Sequence, residues 1–145
     1  MATLTARVDL PTAVRSIPAA RHMALEVLSA WRIEHAGDDA ALVVTELVSN
    51  VVDHVGCDTS IVLELTLSDV WLTISIADGS AVRPVVRELC GNQPRGRGMQ
   101  LVAGVADRWG CDDHHGGKRV WAQLGTDPTV PSAVGPHQGR EINCN

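Results

Sequence analysis

Three places in this 145-residue chain carry side chains whose types and spacing suit chemistry. Glu46 and Asn50 stand four residues apart, so on a helix they project together, with Asp53 and His54 about one turn further on. A carboxylate and an amide one turn apart can share a hydrated Mg2+, which keeps several waters and takes few protein oxygens. A solvated helix face has the same spacing. Asp78 ends a nearly all-apolar stretch and is followed by Gly79. At a pocket mouth such a carboxylate accepts a hydrogen bond from a ligand amino group, worth about 1.5–3 kcal/mol; a turn aspartate reads the same way. Gly96-Arg97-Gly98 precedes an apolar helical run, where bare backbone amides attract anions and glycines let phosphate oxygens come close. A lone G-x-G is a weak signal. The run through Met99, Gln100 and Leu101 lacks the third glycine of a dinucleotide fingerprint, and no G-x-x-x-x-G-K-[ST] exists, so Rossmann and P-loop sites are excluded.

The elements that must position these residues follow from periodicity. Leu4–Leu10 reads as a short strand ending at Pro11. Ala20, Ala24, Val27, Leu28 and Trp31 recur at helical spacing, which predicts a helix over about 17–33. After the loop Glu34–Gly37, Asp38 suits an N-cap and Asp39 a first helical turn. Val44, Leu47, Val48, Val51 and Val55 form the apolar stripe of a second helix over roughly 39–55, with Glu46, Asn50 and Asp53 opposite it. Then the period changes to two. Ile61, Leu63, Leu65 and Leu67 alternate with Val62, Glu64 and Thr66, and after the break Ser68-Asp69, Val70, Leu72, Ile74 and Ile76 alternate with Trp71, Thr73 and Ser75. This is a β-hairpin. Periodicity is lost from Ser80 to Arg95, a length that marks a functional or mobile segment. A short helix over Met99–Ala106 and a last strand pair, Arg108–Cys111 and Lys118–Leu124, follow, joined by the turn Asp112–Gly117 with Trp109 and Trp121 facing each other. From Gly125 onward six of 21 residues are Gly or Pro, so 125–145 is expected to be a disordered tail. The expected fold class is α+β: a two-layer sandwich over residues 1–124, with a mixed, mostly antiparallel sheet and helices on one face.

Composition bounds the rest. With 17 acids against 12 bases the net charge is −5, which argues against a sequence-independent grip on nucleic acid. No apolar run reaches the ~18 residues that cross a bilayer, and the first residues lack an export signal, so a cytoplasmic protein with no membrane contact is expected. The four cysteines, Cys57, Cys90, Cys111 and Cys144, form no C-x-x-C pair, and reduced thiols are the expectation. Cys111 with His114 and His115 lacks the second ligand pair that zinc wants.

In combination the motifs are specific. The run from Asp39 through Glu46 and Asn50 to His54 resembles the N box of the GHKL ATPase superfamily, which includes gyrase, heat-shock chaperone, histidine kinase and mismatch-repair ATPases. Asp78, with Pro84 downstream, resembles its G1 region, and Gly96-Arg97-Gly98-Met99-Gln100-Leu101-Val102 its G2 box. Within the superfamily the chain is most similar to small bacterial anti-sigma-factor serine/threonine kinases, a likeness over about residues 4–124 that extends to Ala106-Asp107-Arg108-Trp109-Gly110 and Gly117-Lys118-Arg119-Val120-Trp121. The resemblance implies ATP and Mg2+ as ligands, Glu46 as general base, and Asn50 as the magnesium ligand. It implies nucleotide contacts from Asn50, Asp53, Asp78, Gly79, Pro84, Gly96, Arg97, Gly98, Met99 and Leu101, and a lid over 81–95. It also implies two protein partners, an antagonist that is phosphorylated and a sigma factor that is sequestered, and a family habit of homodimerisation.

Two departures stand out. The family's D-x-G-x-G occurs here as Asp78-Gly79-Ser80-Ala81-Val82, with neither glycine in place, which bears on lid motion, nucleotide affinity and turnover. Arg119 stands where a small hydroxyl residue often follows Gly-Lys; it either removes an adenine-side hydrogen bond or faces solvent. Two main functions compete: a protein serine/threonine kinase, and a non-catalytic module whose nucleotide state sets partner binding. A histidine-phosphorylating fragment is a third, disfavoured because no separate helical hairpin carries an acceptor histidine.

Overall fold

The computed structural model describes residues 2–54, 60–78, 97–114 and 117–127. Strand β1 (Thr3–Pro11) leads into helix α1 (Ser16–Ala30), a 3-10 turn (Glu34–Ala36) and helix α2 (Gly37–His54). Strands β2 (Ser60–Ser68) and β3 (Trp71–Asp78) come next, then helix α3 (Arg97–Val105) and strands β4 (Arg108–His114) and β5 (Gly117–Gly125). The sheet order is β1-β2-β3-β5-β4. All four pairings are antiparallel, so the sheet is less mixed than expected, and the α+β class stands.

Strict alternation places one face of each strand under the helices. Ile61, Leu63, Leu65, Leu72, Ile74, Ile76, Val120 and Ala122 are all buried there, against Val43, Val44, Leu47, Val48 and Val51 of α2. Burial of these branched side chains, at about 25 cal/mol per Å² of apolar surface, holds the two layers together. No helix of the described residues is long and apolar enough to cross a membrane.

Several boundaries differ from the sequence reading. Helix α1 stops at Ala30 because Arg32 takes a left-handed conformation (φ 62°), with Ile33 N–H donating to Leu28 and Arg32 N–H to Ser29. That double closure is a Schellman motif, built on arginine instead of the usual glycine, and Ile33 is buried beyond it. Helix α2 begins at Gly37, so Asp38 lies within the first turn and does not precede it. In the hairpin, Ser68 pairs with Trp71, so the turn is Asp69-Val70, one residue later than expected, with Asp69 at φ 59°. Strand β4 runs on to His114 and β5 starts at Gly117.

Two expectations are corrected. Trp109 pairs with Ala122 and Trp121 with Gly110, so the tryptophans sit on opposite faces of the sheet and do not meet. A one-residue register step exchanges faces. Cys111 is disulfide-bonded, against the expectation of reduced thiols; the other three cysteines lie outside the described residues. Order extends past Leu124. Thr126 is buried, its N–H and its hydroxyl donate to the Val70 carbonyl (2.8 and 2.9 Å), and His35 Nε2 donates to the Thr126 carbonyl. The rest of the expected tail, 128–145, lies outside the described residues.

Candidate functional site

Helix α2 positions Glu46 and Asn50. Among its described residues, the fully buried apolar side chains Ala40, Val43, Val44, Leu47, Val48 and Val51 define the side that faces the sheet. At about 100° per residue, Thr45 falls on one flank of that stripe, and Glu46 and Asn50 on the other. The Thr45 flank faces α1, because Arg21 of α1 donates to the Thr45 hydroxyl at 3.4 Å. Glu46 and Asn50 therefore turn away from α1, toward the side on which α2 packs against α3. Both are half-buried, as are Ala41, Leu42, Thr45 and Ser49 around the same helix.

Which end of the sheet they occupy follows from three fastenings. Ser16, the first residue of α1, donates its hydroxyl to the Pro11 carbonyl at the end of β1. Pro11 pairs with Ser60, and the next residue along, Ile61, pairs with both Leu10 and Asp78. So α1 starts at the end of the sheet where β3 finishes. Helices α1 and α2 run antiparallel, since Gly37 lies against Leu25 and Thr45 against Arg21. The C-terminal half of α2, with Glu46, Asn50 and Asp53, thus lies toward the Asp78 end. Asp78 itself continues the register of Leu72, Ile74 and Ile76, the helix-facing series of β3.

Helix α3 is fastened at its other end. Asp107 N–H donates to the Gln123 carbonyl, and Gly125 N–H donates to Asp107 Oδ2, both at 2.8 Å. Arg97 and Gly98 begin its N-terminal turn, where helix N–H groups lack intrahelical partners and the dipole favours anions. Val102 is buried against the core, and Leu101 is 47% exposed.

Of the residues singled out from the sequence, Glu46, Asn50, Asp53 and Asp78 are therefore brought toward one end of the molecule. Arg97, Gly98, Met99 and Leu101 belong to α3, the helix toward which the Glu46–Asn50 flank turns. Gly79, Pro84, Gly96 and the expected lid lie outside the described residues. Arg119 is decided. It pairs with Ala77 and Asp112 on the sheet face away from the helices and forms an ion pair with Asp112 at 3.3 Å, so it does not enter the space beneath the helices. Gly104 of α3 drew no attention from the periodicity, although a glycine within a helical run was the available signal.

A hard-cation site here fits the donor chemistry. Among the described residues no three His, Cys, Asp or Glu side chains gather as a ligand set. A magnesium ion needs none, because it is commonly held by one or two protein oxygens, several waters and substrate phosphates. An amide oxygen on Asn50, one turn from a carboxylate, meets that requirement.

A family model described as the histidine kinase-like ATPase domain matches residues 10–124, from the end of β1 almost to the end of β5. A search of curated proteins finds no match. With that match spanning every helix and all but one edge strand of the fold, the chain belongs to the histidine kinase-like ATPase domain family.

Proposed function

We propose that the chain is an ATP-dependent protein serine/threonine kinase that phosphorylates an antagonist protein and regulates transcription by sequestering a partner, a sigma factor. ATP binding is the common property of the family to which it belongs. One observation carries the finer reading: Glu46 and Asn50 are half-buried, one turn apart, on the flank of α2 that turns from α1 and toward the end of the sheet where β3 finishes in Asp78.

In this reading Asp78 accepts a hydrogen bond from the adenine amino group, and the backbone N–H groups at the start of α3 receive phosphate oxygens. Asn50 holds Mg2+, which when bound neutralises charge on the triphosphate. Glu46 accepts the proton of the attacking serine hydroxyl as its oxygen bonds to the γ-phosphorus and the bond to the β-γ bridging oxygen breaks, leaving ADP. Little covalent chemistry falls to the protein, so positioning and charge neutralisation supply most of the acceleration.

A second reading, the non-catalytic module, is favoured by one feature of the sequence. Neither glycine of the family's D-x-G-x-G is present in Asp78-Gly79-Ser80-Ala81-Val82. In that case nucleotide sets the shape that a partner recognises, and no phosphoryl group moves. Partners recovered from the source cell, incubated with the chain, Mg2+ and γ-labelled ATP, separate the two: label on a serine supports the kinase, and complex formation without label supports the module. Asn50→Ala tests the pocket under both. Calorimetry should show Mg2+-dependent ATP binding abolished, and unchanged affinity refutes the assignment.

A further inference from the structure

Helix α3 depends on packing for its order. It has nine residues, fewer than the ~12–15 at which an isolated helix becomes even marginal in water. Two of the nine are glycine, Gly98 and Gly104. Its first turn has no acidic side chain to meet the dipole and its last turn no basic one. The acid that follows, Asp107, spends its carboxylate on the Gly125 N–H.

Gly104 is the informative residue. A helical glycine is commonly required where another group approaches too closely for a Cβ, but among the described residues a Cβ built here meets nothing within 4 Å. Its backbone is right-handed, so alanine fits without strain. Packing against the described residues does not explain this glycine. It stands in the last turn, two residues before Ala106 and three before Asp107, where the helix is anchored.

We propose that Gly104 is a positioning residue that sets nucleotide affinity through the order of α3. By loosening the joint between the helix and its Asp107 anchor, it leaves the phosphate-facing turn under-ordered without ligand. ATP must then supply the missing order, and part of its binding energy is lost to that ordering. This rests on the reading of α3 as the phosphate-binding helix.

The test uses the full chain with Gly104→Ala, and Ala103→Gly as its opposite, read by calorimetry with Mg-ATP and by amide hydrogen exchange. Without nucleotide, Gly104→Ala should slow exchange across α3. It should also tighten the Kd for ATP by about twofold to fivefold, the range given by the Gly-to-Ala helix difference attenuated near a helix end. Ala103→Gly should weaken binding by a similar factor, and ATP should protect α3 amides more in the unaltered chain than in Gly104→Ala. Protection of α3 by Gly104→Ala with an unchanged Kd overturns the inference alone. So does an α3 already fully protected in the ligand-free, unaltered chain. No ATP binding by the unaltered chain overturns the nucleotide reading, and this inference with it.

Discussion

Glu46→Gln separates chemistry from binding more sharply than any other single change. The amide has nearly the shape of the carboxylate. Glu46 lies outside the six-residue buried stripe of α2, so Val43 and Leu47 keep their contacts with the sheet. The stability change should therefore stay within about 0.5 kcal/mol, and the melting temperature within about 2 °C. Mg-ATP affinity should hold within about threefold, because the magnesium ligand is Asn50. What is lost is proton acceptance. A positioned general base contributes about 10²–10⁴, which is about 2.7–5.4 kcal/mol of barrier at 1.36 kcal/mol per decade. Single-turnover transfer of labelled γ-phosphoryl to a partner serine, beside calorimetry and a thermal melt, reads all three quantities together. If binding and melting hold and transfer still runs within a few-fold of the unaltered chain, Glu46 is not the base and the catalytic assignment falls.

Two further outcomes test the fold beneath the site. Ile74 is fully buried in the central strand between Leu65 and Ala122. Ile74→Ala removes three carbons at about 0.8 kcal/mol each and leaves a cavity, so urea unfolding should show a loss of about 2–5 kcal/mol; under 1 kcal/mol contradicts the packing. Cys111 should resist alkylation in denaturant without reductant and react fully once reduced, as mass spectrometry will show. Full labelling before reduction contradicts the disulfide.

Much of this was legible in the chain because two periods dominate it. The two-residue alternation of Ile61–Leu67 and Leu72–Ile76 gave both strands of the hairpin and the side each apolar residue faces. It also carried Asp78 onto the helix-facing series, since Asp78 keeps step with Ile74 and Ile76. The four-residue step from Glu46 to Asn50 gave their shared flank. Periodicity does not encode register between strands, however. Trp109 and Trp121 were therefore paired by type, when a single-residue offset separates them onto two faces. Helix ends were hidden for a different reason. The stop of α1 depends on Arg32 adopting a conformation that glycine usually announces. Arg119 could be read either way until the register put it beside Asp112 on the far side of the sheet. Cysteine pairing depends on through-space proximity, which spacing alone does not reveal.

The knot around Thr126 has a practical corollary. Thr126 is held by the β2–β3 turn and by His35, at the end of the sheet farthest from Asp78. Asp127 therefore lies on the side remote from Glu46 and Asn50. A fluorophore or surface-immobilisation handle attached just downstream of that knot starts from a pinned point, one sheet length away from where ligand exchange would be watched.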